Sequence, residues 1–242
     1  MKSFLLPIFF LLTAPLLSAQ QVSLIKDIYP GAEDGMPTSL IAYKGQLIFQ
    51  AQTEDTGSEL WISDGTEEGT ELLKDINPGG ADSDPAQFIE FDGRVFFSAT
   101  AAGSGRELWV TDGTQDGTLL LKDIQPGAGD GEPQDFIVFQ QELWFTATTD
   151  DEGSELWVSD GTEGGTALLL DINPGPSNGN PNSKYVTTEG GLMFFNAQTP
   201  AEGVELWVSN GTPGGTQLLK DIQPGTASSN PSGFNAVGND VF

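Results

Sequence analysis

Short apolar runs alternate with polar turn residues along most of this chain. The stretch 88–124 is typical, with apolar runs at 88–91, 94–99, 107–111 and 119–124. Asp92-Gly93 and Asp112-Gly113 lie between runs, and dipeptides of this kind favour tight turns. Runs of four to eight residues bounded by turn residues predict β-strands. Because no 3.6-residue periodicity appears after residue 22, the pattern predicts an all-β protein.

This set of four runs recurs with a period of about 48 residues, which indicates a repeat architecture. The second run of each repeat carries a Phe preceded by another apolar residue, and consecutive apolar residues in a strand require both of its faces to be buried. Stacked blades provide such burial. We therefore expect a β-propeller-like array of four-stranded antiparallel blades, with the first strand of each blade nearest the hub. The recurring residues are Phe49, Phe97, Phe145 and Phe195.

The repeats divide residues 22–242 into four complete blades and a partial fifth, 223–242. The complete repeats end near Ile76, Ile124, Ile172 and Ile222. Residues 22–28 match only the outer, fourth strand of a repeat, so we expect an orphan outer strand there that completes a blade begun at the far end of the chain. Phe242 falls within the second strand of a repeat, which predicts a truncated ring.

The beginning of the chain has the pattern of a secretory signal peptide, which we place at residues 1–19. Lys2 precedes an apolar run over 4–17, and the small residue Ala19 stands at the expected cleavage site. The apolar run is shorter than a typical membrane span and wrongly flanked for one, and an uncleaved membrane or lipid anchor is the alternative interpretation. No later segment is apolar for long enough to span a bilayer. We therefore expect a secreted protein or one on the outer cell surface.

Composition narrows the functions open to the chain. The formal net charge is −26, with 35 acidic and 9 basic residues, which argues against nucleic acid as a partner. There is no Cys and no His, so Ser-His-Asp and Cys-His nucleophile systems and Cys/His zinc sites are excluded. Carboxylates, hydroxyls, Lys and Tyr remain for chemistry.

Several carboxylates fall in the loops that enter each first strand and that join second to third strands, which should share one face. They are candidate Ca²⁺ ligands, because Ca²⁺ takes six to eight oxygen ligands. A solvated acidic surface is the simpler interpretation, and the fourth repeat has Ser177, Asn178 and Asn180 instead. We therefore expect no cofactor, with Ca²⁺ as the alternative. The candidates are Asp82, Asp84, Asp130, Glu132, Asp150 and Asp151.

The turn after each third run reads Asp-Gly-Thr-x-x-Gly-Thr or a close variant. One carboxylate per loop is too few for a calcium shell, whereas Asp and Asn both accept hydrogen bonds from their own turn. We therefore predict a structural turn, with Asn210 replacing the Asp of the other three copies. The residues at this position are Asp64, Asp112, Asp160 and Asn210.

A Glu and a Trp open each third run. A glycosidase needs one pair of carboxylates at a set separation, whereas a Glu in every blade is better explained as a structural hydrogen-bond or charge partner. We expect its counterpart in the fourth-strand lysines Lys74, Lys122 and Lys220. We expect the Trp residues in the blade core rather than as stacking platforms. The pairs are Glu59 and Trp61, Glu107 and Trp109, Glu155 and Trp157, and Glu205 and Trp207.

These four copies resemble the ELWxxDGT repeat family of bacterial secreted and surface proteins, and Leu-Lys-Asp-Ile-x-Pro-Gly extends the match. Asn210 and Leu170 depart from the pattern. The resemblance covers nearly all of residues 22–242. It implies an exported protein, often attached to the cell surface and sometimes carrying a C-terminal sorting domain, which we expect to be missing here. It implies no established enzymatic activity.

Together these observations predict an exported, non-catalytic repeat propeller that serves as a binding or scaffold module, with an unidentified protein or polysaccharide partner. The alternative is a lectin-like carbohydrate-binding propeller or a Ca²⁺-dependent propeller that acts on polysaccharide. A carboxylate pair that breaks the repeat pattern would favour an enzyme, and the sequence shows none.

Overall fold

The computed structural model describes residues 23–31 and 33–242, so the predicted signal peptide lies outside the described residues. Antiparallel sheets of four strands, paired in chain order, confirm the predicted blades. Blade one contains β1 (Thr38–Tyr43), β2 (Gln46–Thr53), β3 (Gly57–Ser63) and β4 (Thr70–Lys74). Blade two contains β5 (Ala86–Phe91), β6 (Arg94–Ala101), β7 (Gly105–Thr111) and β8 (Leu119–Lys122).

Blades three and four repeat this arrangement, and a short hairpin follows them. Blade three contains β9 (Gln134–Phe139), β10 (Glu142–Thr149), β11 (Gly153–Ser159) and β12 (Ala167–Leu170). Blade four contains β13 (Asn182–Thr187), β14 (Met193–Thr199), β15 (Gly203–Ser209) and β16 (Gln217–Lys220). The hairpin of the fifth repeat pairs β17 (Ala236–Val237) with β18 (Asp240–Val241). Within the described ranges, the helical residues are one 3-10 turn at Pro213–Gly215, and no helix is long and apolar enough to cross a membrane.

Tight turns join the first two strands of each blade. Asp92 and Gly93 both have positive φ, 49° and 69°, as a two-residue type I′ turn requires. This confirms the turn that the Asp-Gly dipeptide predicts. The first strands β1, β5, β9 and β13 lie next to one another, which places them nearest the hub.

The blades pack face to face through layers of apolar side chains. Tyr43, Ile48 and Leu60 on one face of blade one contact Phe97 and Trp109 of blade two. Equivalent layers join blade two to blade three and blade three to blade four. The second strand is therefore buried on both faces, as the paired apolar residues predict. The recurring Trp residues are confirmed as core, with 7–8% of each exposed: Trp61, Trp109, Trp157 and Trp207.

A different side chain crosses each interface between blades, near the turns that join first and second strands. The Tyr43 hydroxyl donates to the Gly93 carbonyl at 2.5 Å, between blades one and two. The Arg94 guanidinium donates to the Gly161 carbonyl at 2.9 Å, between blades two and three. The Gln140 amide donates to the Asn210 carbonyl at 3.1 Å, between blades three and four.

Residues 23–28 form no strand, so the predicted orphan outer strand is wrong for the described part of 22–28. The outer strand of a blade forms by pairing with the third strand of that blade. Among the described residues, no third strand lies beside this segment. The segment nevertheless contacts blade one as β4 contacts blade two. Ile28 packs on Phe49 and Trp61, and the Lys26 ammonium donates to the Thr70 carbonyl at 2.6 Å. It covers the face only in part, because Leu47 stays 40% exposed.

Candidate functional site

The recurring glutamate of each third strand lies in a cradle of backbone N–H groups. In blade one, Glu59 is fully buried. The Ile76 N–H donates to its Oε2 at 2.7 Å, and the Asn77 N–H donates to its Oε1 at 3.3 Å. The Ser83 hydroxyl donates to Oε2 at 2.7 Å. The carboxylate therefore ties the third strand to the loop that leads into the next blade.

The same cradle recurs in the other blades. The Ile124 and Gly131 N–H groups each donate to Glu107 at 2.7 Å. The Ile172 N–H donates to Glu155 at 2.8 Å. Blade four is equivalent, with Glu205 accepting from Ile222 and Ser229. The repeated geometry confirms that these glutamates are structural hydrogen-bond partners.

The expected pairing of these glutamates with lysine is wrong. Backbone N–H groups and a serine hydroxyl satisfy the carboxylates, while Lys74 reaches across to the Gln115 carbonyl of blade two at 3.3 Å. Within residues 23–31 and 33–242 the ion pair that forms joins Arg106 to Glu132, 3.7 Å apart. Each blade is therefore held at this point by neutral donors rather than by charge pairing.

Burial changes the acidity of these glutamates. It raises the pKa of Glu59, Glu107 and Glu155 to about 7, although the hydrogen bonds that they accept lower it. At Glu205 burial also raises the pKa, but hydrogen bonds from Ser229 and Ile222 outweigh it, and the pKa is lowered. A raised carboxyl pKa is typical of a general acid, but a group fully buried and saturated by backbone donors has no path to a substrate.

These raised pKa values predict that stability falls as the pH rises from about 5 to about 7.5. The three glutamates bind protons more tightly in the folded protein than in the unfolded chain. The resulting stabilisation of the folded state is complete below about pH 4.5 and is lost as the pH rises through about 7. The difference between 4.5 and about 7 corresponds to at most about 3.4 kcal/mol per glutamate. Melting temperatures across this range in 1 M NaCl, which screens surface charge, measure the effect.

Glu155→Gln is the matched variant for the pH series, because it removes one of the three titrating groups. Its melting temperature should depend less on pH than that of the parent protein. Identical pH dependence in the two proteins, or a melting temperature that rises between pH 5 and 7.5, would contradict the assignment to the buried glutamates.

The Asp-Gly-Thr turn is a closed hydrogen-bond network, as predicted. Asp64 Oδ1 accepts from the Thr66 N–H at 2.9 Å and from the Thr66 hydroxyl at 2.7 Å. The Thr66 hydroxyl accepts from the Gly69 N–H at 2.9 Å, and Thr70 donates to the Thr66 carbonyl. These side-chain and backbone hydrogen bonds lower the pKa of Asp64. Asn210 accepts the same two bonds from Thr212, so the turn needs the oxygen and not the charge.

The second glycine of this turn is fixed by contact with the aspartate. A Cβ at Gly165 would lie 2.0 Å from Asp160 Oδ1, whereas a Cβ at Gly164 would meet nothing within 4 Å. We expect Gly165→Ala to lower the free energy of unfolding by about 1–3 kcal/mol, since the Asp160 network must move. Gly164→Ala should change it by less than about 0.5 kcal/mol. Urea unfolding of both variants measures the difference, and equal effects would refute the steric argument.

The six candidate calcium ligands are all exposed and lie in three loops, two in each. Asp82 Oδ1 accepts from the Ser58 N–H at 2.7 Å, and Asp130 Oδ1 accepts from the Arg106 N–H at 2.7 Å. In blades three and four Asn178 and Ser228 accept the equivalent bonds, so this position caps the third strand in every repeat.

The other candidates have local partners or lie on the surface. Asp84 accepts from the Gln50 amide at 3.0 Å, and Glu132 pairs with Arg106. The Asp150 N–H donates to Gln125 Oε1 at 3.0 Å, and Asp151 is exposed. Across 23–31 and 33–242 the structure brings together no group of three or more acidic residues that could hold a metal ion.

Proline and amide side chains line a groove on the same loop face, between blades three and four. Its lining includes Asn173, Asn180 and Gln198, and its volume is about 430 Å³. The sequence shows Ser177, Asn178 and Asn180 as departures from the acidic pattern, but it does not show that they share a groove with Gln198 and Pro200. A comparison of equivalent positions in the four repeats points to the neutral residues that line this groove.

No family model matches the chain, and no curated protein matches it. Among solved structures, it is similar to a thermostable family-43 glycoside hydrolase, with 14% identity, 81% of this chain and 72% of that chain covered, and a TM-score of 0.37. An endo-arabinase from Bacteroides thetaiotaomicron has 14% identity, 76% and 80% coverage, and a TM-score of 0.36. A puromycin hydrolase has 15% identity, 76% and 28% coverage, and a TM-score of 0.45. Similarities this distant carry no inference about activity.

Proposed function

We propose that this chain is an exported, non-catalytic propeller of the ELWxxDGT repeat type that acts as a binding or scaffold module outside the cell. The observation that carries the proposal is the repeated use of the motif carboxylates in structural hydrogen bonds. Glu59 and its three equivalents accept hydrogen bonds from backbone N–H groups. Asp64 and its equivalents accept the hydrogen bonds that close their turns. The residues that recur most regularly therefore build the blades.

The distribution of the remaining acids supports the same proposal. A carboxylate mechanism of glycoside hydrolysis needs two groups placed about a shared substrate. The exposed acids Asp82 and Asp130 cap strands, and the raised-pKa glutamates are fully buried. A rigid array that displays loops on one face fits a binding or spacing role.

The experiment is a reducing-end assay of the purified mature protein on xylan, arabinan, cellulose and mixed-linkage glucan, with and without CaCl₂. We expect no release above that of a heat-denatured sample. Release of reducing ends by the native protein would overturn the non-catalytic assignment and favour the polysaccharide-acting alternative.

Export is tested separately by the mass of the mature chain. Expressed from its full sequence in a Gram-negative host, the protein should reach the periplasm or medium with residues 1–19 removed, so that its N-terminus is Gln20. An intact N-terminus in the cytoplasmic fraction would contradict the export proposal.

A further inference from the structure

The groove between blades three and four differs from its equivalents in charge. The preceding grooves present carboxylates: Asp82 and Asp84 between blades one and two, and Asp130, Glu132 and Asp150 between blades two and three. In a chain of net charge −26, the lining of this groove is neutral throughout. The side chains that the argument uses are Asn173, Ser177, Asn178, Asn180, Gln198 and Pro200.

An unpaired acceptor lies at the edge of this groove. Asn173 is 4% exposed, and its Nδ2 donates to the Asn178 carbonyl at 2.9 Å, which fixes the orientation of the amide. Its Oδ1 is buried and has no hydrogen-bond partner within the described part of the chain. Burying an acceptor without a partner is unfavourable, so a donor brought to this atom is favoured.

The sequence explains why this acceptor is unpaired. One blade earlier, Gln125 occupies the position of Asn173, and its Oε1 accepts from the Asp150 N–H at 3.0 Å. Pro200 occupies the position of Asp150 in blade four, and proline has no N–H to donate. Asn173 is also one methylene group shorter than Gln125, so the bond that closes the earlier groove is not made here.

We propose that this groove binds a neutral saccharide, through Asn173 and the amide groups of Asn178, Asn180 and Gln198. Amides both donate and accept hydrogen bonds, as sugar hydroxyls do, whereas the carboxylates of the other grooves only accept. The rings of Pro176 and Pro200 offer apolar contact to the C–H faces of a sugar. A peptide ligand that inserts large apolar side chains is less well matched, because the lining of this groove consists of amide, serine and proline side chains. The proposal rests on the binding role proposed above and names its ligand class.

The test is isothermal titration and ¹⁵N-labelled NMR with defined oligosaccharides. The probes are the neutral hexasaccharides of cellulose, xylan, mannan and laminarin, with hexagalacturonate as the anionic comparison and an acetylated, amidated Asn-Gly-Ser peptide as the peptide comparison. We expect at least one neutral hexasaccharide to bind and to shift the backbone amide signals of residues 173, 175, 177–180 and 198. Hexagalacturonate and the peptide should not shift them.

Matched variants separate this groove from its acidic equivalent. Gln198→Ala and Asn180→Glu should each weaken binding about 5- to 10-fold or more, as expected for a lost hydrogen bond. Thr148→Ala and Glu132→Gln, at the equivalent positions one groove earlier, should leave binding unchanged. All four residues are at least partly exposed, and unchanged melting temperatures will show that the fold is intact.

Failure of this inference is distinguishable from failure of the proposed function. Lack of binding by all four neutral hexasaccharides, preferential binding of the peptide or of hexagalacturonate, or signal shifts confined to other loops would overturn the groove assignment. None of these results produces reducing ends, whose release is the outcome that overturns the non-catalytic role.

Discussion

Replacing Glu155 with alanine should lower the free energy of unfolding by on the order of 3–5 kcal/mol. The side chain is fully buried and accepts hydrogen bonds from the N–H groups of Ile172, Asn173 and Gly179. Alanine leaves these donors unsatisfied and opens a cavity, and each unsatisfied buried donor costs about 1–3 kcal/mol. Urea unfolding at fixed pH measures the change.

Glu163 provides the control for this variant, because it is an exposed glutamate in the next turn of the same blade. Glu163→Ala should change the free energy of unfolding by less than about 0.5 kcal/mol. Equal changes in the free energy of unfolding for Glu155→Ala and Glu163→Ala would show that the hydrogen bonds to Glu155 do not stabilise the blade.

A loss of similar size, about 3–5 kcal/mol, is expected for Trp157→Ala. The indole is 8% exposed and packs between blade three and the apolar face formed by Phe96 and Leu108 of blade two. Truncating a buried aromatic side chain removes this contact and leaves a cavity. Because the indole lies at the interface, blades two and three should both lose stability, which tryptophan fluorescence and urea unfolding together can follow.

Trp157→Phe is the informative comparison. The indole Nε1 has no hydrogen-bond partner within the described residues, so phenylalanine loses volume but no polar contact. We expect a cost below about 2 kcal/mol, clearly smaller than that of alanine. A loss below about 1 kcal/mol for Trp157→Ala itself would show that the ring is not packed as the structure places it.

The blades could be predicted from the sequence because the repeat multiplies each weak local signal. One Phe96-Phe97 pair would be ambiguous, but an apolar pair at the same place in four repeats requires strands buried on both faces. The Asp64 turn was predictable for a different reason. Its partners, Thr66 and Gly69, lie within five residues, and turn chemistry of this kind is local.

The partners of the glutamates could not be predicted in this way. Glu59 accepts hydrogen bonds from the backbone N–H groups of Ile76 and Asn77. Every residue except proline has such a group, so the residue types do not reveal which residues are the partners. A charge argument therefore favours Lys74, which is the nearest cation in the repeat but crosses to blade two. The fixed spacing between each Glu and the following Ile-x-Pro-Gly is the signal that points to the loop.

The role of the acidic loop residues also could not be predicted from their charge. Asp82 and Asp130 stand out in the sequence as charges, but in the structure their common property is an oxygen that accepts the N–H at the start of a third strand. Asn178 and Ser228 supply that oxygen without charge. Departures from the repeat are the better guide, because Asn178 and Asn180 line the groove that contains the unpaired Asn173 Oδ1.

The side chains that cross the blade interfaces have a consequence for assembly. The apolar faces of the blades are so alike that a folding chain could stack them out of order, which is a characteristic failure of repeat proteins. Tyr43, Arg94 and Gln140 each donate across one interface to a main-chain carbonyl of the next blade, an acceptor that every repeat offers. These bonds therefore stabilise each interface without selecting its partner, and the order of the blades has to come from the connections between them, because consecutive elements of a chain are usually adjacent in space.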